Sequence, residues 1–441
     1  MQNLEKGSKK LLFAWAFYDW ANSVYSLVIA SAIFPIFYGA LFKINGTSSI
    51  EVFGLNLKST PLISFVTAAA FLLVAIISPI LSGIADYIGN KKIFMKFFCY
   101  LGALSCMGLY WFSLEDIYTS LLFYFFGLVG FWASLVFYNS YLPDIAYPEQ
   151  QDHVSATGFS YGYVGSVLLL IVNLAMVMKP QLFGISGTEG EAKIQAMRYS
   201  FLTVGIWWIL FSQVTYYYLP KGNNGHKVTK AVLLNGLREL KKVWKMLAHH
   251  SELKRYLVSF FVYNMAVQTV MIIAAYFGEQ EIQWSTDADK TTGLITSILL
   301  IQLVAIIGAY FTSRASSHFG NIQTLIFINC IWAVLCVFAF FITLPIHFYC
   351  IASMVGLVMG GIQSLSRSTY SKLLPKTYDT TSFFSFYDVA EKISIVIGMS
   401  IYGLIDQFTG SPRFSIVFLA LFFITGILLL RRIPKKNLFK V

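Results

Sequence analysis

The stretch PLISFVTAAAFLLVAIISPILSGIA, residues 61–85, contains no charged side chain. A helix of about 20 apolar residues spans the hydrocarbon core of a bilayer, which is about 30 Å thick. Comparable uncharged stretches cover residues 201–219, 322–344 and 414–430. A surface helix of a soluble protein carries charged residues on the face that it turns to water, and these stretches carry none. The sequence therefore predicts a protein that is embedded in a membrane.

The whole chain shares this character. About twelve apolar stretches, separated by short polar loops, follow one another between residues 11 and 430. The chain is 57% hydrophobic and 12% charged, whereas soluble domains are about 25% charged. We therefore expect an all-α integral membrane protein with about 12 transmembrane helices. The first stretch, residues 15–42, is too long for a cleaved signal peptide, so we expect it to remain as a span.

The net charge of +11 has a topological explanation. Most Lys and Arg residues fall in loops and helix ends that are cytoplasmic if the N-terminus is cytoplasmic, which is the positive-inside pattern. We predict that both termini are cytoplasmic, in the plasma (inner) membrane if the protein is bacterial, and we expect no nucleic-acid partner. The basic residues at the C-terminal end are Arg431, Arg432, Lys435, Lys436 and Lys440.

Metal and cofactor chemistry have little support in the sequence. The five cysteines lie in apolar stretches without metal-ligand spacing. The six histidines lie in loops, a turn and a helix start, and no pair has metal-binding spacing inside a span. No phosphate-binding loop is present. We expect no metal, no cofactor and no enzyme activity, with a membrane-embedded enzyme acting on an amphiphile as the alternative.

Residues 221–255 form a long basic segment, with six predicted spans before it and six after it. The predicted domains are residues 1–220, a linker over 221–255, and residues 256–441. Within the linker, apolar residues recur at helical spacing: Val228, Val232, Leu240, Trp244 and Leu247. Basic residues lie between them: Arg238, Lys241, Lys242 and Lys245. This pattern predicts an amphipathic helix on the anionic inner leaflet, so membrane lipids are an expected partner. The alternative is a solvated connector.

Short motifs recur in the same order in the two halves. The frame Y-x-x-x-L-P occurs at residues 138–143 and 370–375, and the pair Gly-Asn at residues 89–90 and 320–321. Residues 18–21 are echoed by residues 263–266. Repeats of this kind are typical of secondary transporters, whose binding site lies where the repeats meet. They predict two six-helix bundles.

The loop after the second span, SGIADYIGNKK at residues 82–92, resembles the G-x-x-x-D-x-x-G-x-[KR]-[KR] loop of the major facilitator superfamily. The resemblance implies that Asp86 accepts hydrogen bonds from the N-terminus of a helix in the other half of the chain. These bonds would act as a latch that stabilises one conformational state of the transporter. Gly83 would allow close helix approach, and Gly89 a tight turn. Lys91 and Lys92 would reach the inner headgroups. The alternative is an ordinary basic turn.

The corresponding segment of the second half, residues 314–321, keeps Gly320 but has Ser317 at the position of Asp86. We therefore expect any second latch to be weak.

The stretch FYDWANSVY, residues 17–25, resembles the Y-D-W-A-N-S-x-Y opening of the UMF (unidentified major facilitator) branch of this superfamily. That branch includes the autophagy-related vacuolar amino-acid effluxers of fungi. Residues 138–145 and 360–368 resemble it too. The resemblance implies efflux of a small zwitterion such as a neutral amino acid. Residues 263–269 read YNMAVQT, where the branch often has Y-N-D-G-x-Q-T. If the branch uses that acid for coupling, this chain does not.

Polar residues inside the spans are the candidate substrate contacts. Asp19 lies about 12 Å into the first helix, too deep for a cap, and Asn22 and Tyr25 share its face. In the superfamily the first, fourth, seventh and tenth helices line the central cavity. The candidates on these helices are Asp19, Asn22, Tyr25, Asn139, Asn264, Gln268, Gln363 and Arg367. The alternative is that such side chains only join neighbouring helices.

The eleventh helix carries Asp388, Glu391 and Lys392 on one face. Two acids and one base leave one negative charge unless a proton binds. Low dielectric and a neighbouring carboxylate favour the protonated acid, as a proton carrier requires. The proton-coupling candidates are Asp19, Asp388, Glu391 and Lys392. The alternative is a static ion pair with Glu391 near water.

We therefore predict a monomeric, proton-coupled secondary transporter of a small-molecule substrate that works by alternating access. A solute carboxylate would bind Arg367 and its ammonium Asp19. The alternative is a cation-coupled sugar symporter of the melibiose-carrier type, because Asp19 and Asn22 resemble its first-helix G-D-x-x-x-N site. Against it, no glycine precedes Asp19. Asn22 lies three positions after Asp19, whereas the asparagine of that motif lies four positions after its aspartate. A non-transporting receptor on a transporter scaffold is a third class.

Overall fold

The computed structural model describes residues 4–221 and 232–434 of the chain. In these ranges it is almost entirely helical, with fifteen α-helices. The helices are α1 Lys9–Val24, α2 Phe34–Ile44, α3 Ser59–Ile88, α4 Lys91–Gly108, α5 Ile117–Asn139, α6 Leu142–Ile145, α7 Pro148–Met178, α8 Glu189–Tyr218, α9 Val232–His249, α10 Ser251–Glu281, α11 Asp287–Phe319, α12 Asn321–Ala339, α13 Pro345–Leu373, α14 Thr380–Thr409 and α15 Pro412–Leu430.

The prediction of an all-α membrane protein is confirmed. Among the described residues, eleven helical segments are long and apolar enough to cross a bilayer, and the first of them runs unbroken from Lys9 to Ile44. The further long helix, α14, has 30 residues but carries Asp388, Glu391 and Lys392 in its interior. These three charges lower the mean hydropathy of α14. Eleven segments together with α14 make the expected twelve long helices.

A short β-hairpin, which the sequence analysis did not predict, joins α2 to α3. Strand β1 (Ser49–Val52) pairs antiparallel with β2 (Leu55–Lys58), and Val52 lies opposite Leu55. The two connecting residues, Phe53 and Gly54, have φ angles of 52° and 75°. Positive φ at both positions is what a tight two-residue hairpin turn requires.

The first span contains a π-helical segment, Tyr25–Ile33, between α1 and α2. Pro35, in the first turn of α2, lacks an N–H for a helical hydrogen bond, and its ring crowds the preceding turn, which disfavours regular α-helical geometry there. The hydroxyl of Ser31 donates to the carbonyl of Ser26 at 3.0 Å. Because a π-helix is wider than an α-helix, side chains from Tyr25 onward depart from the face predicted for Asp19 and Asn22.

The helices form two compact units. Unit 1 comprises the described residues up to Asn139 together with Tyr161–Gly236, and unit 2 comprises Ser140–Ser160 together with the described residues from Leu237 onward. The units follow the halves of the sequence except for Ser140–Ser160. This segment includes α6 and the start of α7, and within unit 2 it contacts α11 through Asp152 and Ser316 and α13 through Ser155 and Ser364.

Small residues allow the closest helix contacts in unit 1. A Cβ atom on Gly130 of α5 would overlap the backbone of Gly102 in α4. On α7, a Cβ on Gly162 would overlap the hydroxyl of Ser23, and one on Gly165 would lie 2.9 Å from the carbonyl oxygen of Trp20. These two glycines therefore allow α7 to pack closely against α1.

In unit 2, α11 and α13 make an equally close contact. A Cβ atom on Gly308 would overlap the carbonyl of Leu357, and one on Gly360 would overlap that of Ala305. Gly356 faces Ile301 in the same way, with a Cβ at 2.5 Å from its carbonyl oxygen. In a bilayer, where lipid is as apolar as the helix surface, such close backbone packing is a main source of helix association.

The linker helix α9 packs against protein along much of its apolar side. Gly236 lies against Ile84 of α3, and Val243 and Leu247 are buried. The prediction that Leu247 faces lipid is therefore wrong, because protein covers it; Val228 lies outside the described residues. Lys242 forms ion pairs with Glu239 at 3.2 Å and Asp379 at 3.0 Å. The hydrogen bond to Asp379 raises the pKa of Lys242.

We predict that Gly308→Ala destabilises the protein by about 1–3 kcal/mol, because the added methyl group overpacks the α11–α13 contact. The measurement is the thermal unfolding midpoint of the purified protein in detergent. Gly403→Ala in α14 is the matched control, because nothing lies within 4 Å of a Cβ at Gly403. Equal midpoints for the two variants would contradict the packing role of Gly308.

Candidate functional site

Asp19 lies in the middle of α1 and is 4% exposed. Its Oδ2 accepts a hydrogen bond of 2.9 Å from the hydroxyl of Tyr138, near the end of α5. Trp15 positions that tyrosine: the rings stack with centroids 4.5 Å apart, and the Trp15 indole N–H donates to the Tyr138 carbonyl at 2.9 Å. Sequence reasoning missed Tyr138 as a site residue, although it begins both the repeated Y-x-x-x-L-P frame and the family-like stretch of residues 138–145.

Asn22 and Tyr25 have different surroundings although both are buried. The Oδ1 of Asn22 accepts from the Ser23 hydroxyl at 3.3 Å, and its Nδ2 has no hydrogen-bond partner among the described residues. Tyr25 lies between the rings of Phe131 and Trp208, with centroids 5.3 and 5.6 Å away. Tyr25 therefore packs in the aromatic core of unit 1.

In unit 2 the polar residues of α10 contact those of α14. The Nδ2 of Asn264 donates to the hydroxyl of Ser394 at 2.6 Å. The Nε2 of Gln268 donates to Glu391 Oε1 at 3.3 Å and to Asn264 Oδ1 at 3.5 Å. Gln268, predicted as a substrate contact, thus touches Glu391, which was predicted for proton coupling, and Asn264 joins them through Gln268. Sequence reasoning missed Ser394. Its position one helical turn after Glu391 could have indicated that it lies on the same face as the charged residues.

Lys392 occupies the centre of this arrangement. Its side chain is 1% exposed and its Nζ lies 2.9 Å from Asp388 Oδ1 and 2.9 Å from Glu391 Oε2. We call the six residues the α10–α14 network: Asn264, Gln268, Asp388, Glu391, Lys392 and Ser394. One turn further along α14, a Cβ on Gly398 would lie 2.5 Å from the carbonyl oxygen of Met265. The glycine therefore lets the two helices approach closely enough for the network to form.

Arg367 is buried and its donors are engaged within unit 2. Its Nε donates to Ser155 Oγ at 2.9 Å, and its Nη2 donates to the Ser155 carbonyl at 2.9 Å. The guanidinium also lies 4.2 Å from the ring centroid of Phe159. Protein oxygens thus occupy the donors that were predicted to bind a solute carboxylate.

The remaining two predicted substrate contacts lie at less central positions. Gln363 of α13 is half-buried and its Nε2 donates to Met271 Sδ of α10 at 3.6 Å. Asn139 is the last residue of α5 and is half-buried. It therefore lies at a helix end, and not in the middle of the fourth span.

A charged cluster that sequence reasoning missed surrounds Asp152, near the start of α7. Asp152 Oδ2 lies 2.6 Å from Lys372 Nζ and accepts from the Ser316 hydroxyl at 2.8 Å. Its Oδ1 accepts from Asn321 Nδ2 at 2.9 Å, which also donates to Thr369 Oγ1 at 3.0 Å. We call these five residues the Asp152 cluster.

The Asp152 cluster changes the interpretation of the second repeat. A weak second latch was expected because Ser317 replaces the acid of the first repeat. The structure supplies an acid from α7 instead, and Ser316 and Asn321, on either side of Gly320, bind it. A one-dimensional repeat comparison cannot detect a partner that comes from another helix.

The loop of residues 82–92 has the backbone expected of a tight turn. Gly89 ends α3 with a φ of 70°, and Asp86 lies in the last turn of that helix. Gly83 approaches the linker helix at Gly236. Lys91 and Lys92 are both buried, and Lys92 Nζ donates to the Leu219 carbonyl at 2.6 Å. The headgroup position predicted for Lys92 is therefore wrong, since its ammonium caps the C-terminal end of α8.

Comparison with known proteins identifies the family. The family described as "Vacuole effluxer Atg22 like" matches residues 7–437. The chain belongs to this family. It is 29% identical over 430 residues to the uncharacterized MFS-type transporter YxiO of Bacillus subtilis, covering 96% of this chain and 95% of YxiO. It is 28% identical over 295 residues to autophagy-related protein 22 of Eremothecium gossypii, covering 62% of this chain and 54% of that protein.

The Atg22-like chain also shares its fold with solved transporters. The E. coli fucose:proton symporter FucP aligns with a TM-score of 0.69 and 16% identity over 97% of this chain and 98% of FucP. At this identity the likeness concerns the fold alone. Together the relatives establish a multi-pass membrane transporter of the major facilitator superfamily, and not an enzyme.

We predict that Asp152→Asn lowers the thermal unfolding midpoint strongly, because removing one partner of a buried ion pair costs about 3–5 kcal/mol. The double variant Asp152→Asn/Lys372→Met should recover part of the loss, since it removes the uncompensated ammonium. The control is Glu189→Gln, which breaks the exposed Glu189–Lys193 pair and should leave the unfolding midpoint almost unchanged, because exposed ion pairs contribute little to stability. If the Asp152→Asn variant unfolded at the same temperature as this control, the Asp152 cluster would not contribute to the stability of the fold as we expect.

Proposed function

We propose that this transporter exports a small zwitterion, with a neutral amino acid as the favoured class, and that export is coupled to protons through the α10–α14 network. The observation that supports coupling is the sharing of one buried ammonium, on Lys392, by two carboxylates. The family's description as vacuole effluxers supports export. The name of FucP, a fucose:proton symporter, shows that a chain of this fold uses protons.

The charge balance of the network gives the coupling step. With both acids ionised, the network carries one net negative charge in surroundings from which water is largely excluded. One proton on either carboxylate makes it neutral, which is the favoured state in low dielectric. The side chain of Glu391 is 21% exposed and that of Asp388 is 6% exposed. Glu391 is therefore the group that exchanges the proton with water.

Protonation also changes what Lys392 and Gln268 can bind. A protonated Glu391 attracts the ammonium less strongly, so Lys392 remains paired mainly with Asp388. The amide of Gln268, which donates to Glu391 at 3.3 Å, is then more easily turned toward a solute. Proton binding and solute binding thus use side chains in direct contact, which is the physical basis of the proposed coupling.

The solute's two charges need two separate partners. Asp19 offers a buried carboxylate with Tyr138 as an identified donor, and we assign the solute ammonium to it. We assign the solute carboxylate to Arg367. Ser155 engages two donors of Arg367 in this structure, and we propose that the solute carboxylate binds in a conformation in which Ser155 has withdrawn. Alternating access, with Asp86 as the latch of residues 82–92, provides such a second conformation.

A second candidate, cation-coupled symport of a sugar, rests on Asp19 and Asn22 in one helix. Sodium is bound by oxygen ligands, but Asn22 Oδ1 already accepts from Ser23. Sodium-dependent uptake without proton dependence would favour this candidate. An absence of any flux in proteoliposomes would favour a receptor.

We predict that Asp388→Asn or Glu391→Gln abolishes pH-driven accumulation in proteoliposomes, because one remaining carboxylate paired with the Lys392 ammonium is already neutral and needs no proton. Counterflow exchange of solute should persist, since exchange needs no net proton movement. Asp406→Asn, a matched change on the same helix outside the network, should retain pH-driven accumulation. Wild-type proton coupling in both network variants would rule out this site as the coupling site.

We predict that neutral amino acids raise the thermal unfolding midpoint of the purified wild-type protein, because a ligand that binds only the folded state stabilises it. Asp19→Asn and Arg367→Gln should each reduce this shift by removing one charged partner of the zwitterion. Asp116→Asn, in a loop between spans, is the control. An undiminished shift in both site variants, or a shift produced by sugars alone, would contradict the assigned substrate.

A further inference from the structure

Four tyrosines lie close together in unit 2, and three of them use their hydroxyls within the protein. The Tyr256 hydroxyl donates to the Ser366 carbonyl at 2.8 Å. Tyr263 shares a hydrogen bond of 2.7 Å with the Ser366 hydroxyl. The Tyr370 hydroxyl donates to a backbone carbonyl of α14. The fourth, Tyr387, is only 7% exposed, and its hydroxyl makes no hydrogen bond with the described residues.

Aromatic neighbours hold the Tyr387 ring in place. The ring stacks on Phe260 of α10, with centroids 4.2 Å apart and planes 19° apart. Tyr370 of α13 contacts it at a centroid distance of 4.9 Å, and Phe384 of α14 at 6.2 Å. Side chains of three helices thus fix the ring, so its hydroxyl is presented in one direction. A donor that is fixed in advance loses little conformational entropy when it binds a ligand.

The Tyr387 hydroxyl lies between the proposed solute site and the proposed proton site. On α14, Tyr387 precedes Glu391 by four residues, so the two side chains share a helix face. On α13, Arg367 precedes Tyr370 by three residues, so it shares the face that Tyr370 turns toward Tyr387. The charged groups that act on the Tyr387 hydroxyl are accordingly the Glu391 carboxylate and the Arg367 guanidinium.

Glu391 does not accept a hydrogen bond from Tyr387, because other donors engage its oxygens. Its Oε1 accepts from Gln268 at 3.3 Å, and its Oε2 accepts from Lys392 at 2.9 Å. The Tyr387 hydroxyl therefore needs an acceptor from elsewhere. Beside a guanidinium the favoured acceptor is a carboxylate, since arginine binds planar anions with strong, charge-assisted hydrogen bonds.

We propose that the Tyr387 hydroxyl donates to the carboxylate of the transported solute, beside Arg367, and so selects solutes that carry a carboxylate. The inference rests on the proposed function, because it uses the same solute site at Arg367. When Ser155 has withdrawn, the solute carboxylate accepts hydrogen bonds from both side chains. A hydrogen bond to an ionised acceptor is stronger than one to a neutral amide oxygen. Tyr387 is therefore a specificity-determining residue of the site.

The test measures the binding of alanine and of alaninamide to the purified full-length protein by isothermal titration calorimetry. The two ligands share an ammonium group, and alaninamide has a neutral amide in place of the carboxylate. Tyr387→Phe keeps the stacked ring and removes only the hydroxyl. We expect this variant to raise the Kd of alanine about tenfold to a hundredfold, as the loss of a hydrogen bond to a charged group does. The Kd of alaninamide should rise much less.

The matched control is Tyr402→Phe, which removes a hydroxyl further along the same helix and should leave both Kd values unchanged. Wild-type affinity for alanine in Tyr387→Phe would overturn the inference, and so would an equal loss of affinity for the two ligands. Arg367→Gln separates this inference from the proposed function. If Arg367→Gln weakens alanine binding and Tyr387→Phe does not, only the role of Tyr387 fails. If neither variant weakens it, or if the wild type does not bind alanine, the proposed solute site fails as well.

Discussion

The absence of water from the bilayer core is the constraint on which this structure depends. A polar group inside the spans must find its partner within the protein, because lipid offers none. Lys392 shows the rule most clearly, since its ammonium lies 2.9 Å from two carboxylates. Asp19 follows it through the hydroxyl of Tyr138, and Asp152 through three polar side chains in unit 2.

These polar contacts require helices that approach closely, and small residues provide the approach. Gly398 lies one turn from Ser394 and faces the α10 backbone at Met265, so the contact that brings Asn264 to Ser394 depends on a missing side chain. In α13, Gly356 and Gly360 likewise allow close packing against the backbone of α11. Packing and polar chemistry are thus parts of one arrangement.

The segment Ser140–Ser160 connects the proposed binding residues to the charged cluster. Within twelve residues of α7, Asp152 binds Lys372, Ser155 accepts from Arg367, and Phe159 lies against the same guanidinium. A movement of this segment would free an arginine and separate a buried ion pair together. The same segment therefore holds both Arg367 and the Asp152 cluster.

The sequence by itself determined the membrane class, the twelve long helices and the family, because hydrophobic length and local motifs are properties of consecutive residues. It also placed Asp388, Glu391 and Lys392 on one helix face, since a period of 3.6 residues is local. The partners of these residues were decided only by the tertiary structure. Asn264 meets Ser394, Tyr138 meets Asp19 and Asp152 meets Lys372 across many intervening residues. The covered side of α9 and the burial of Lys92 likewise depend on which helix lies beside which, and helix order in space is not a periodic property of the chain.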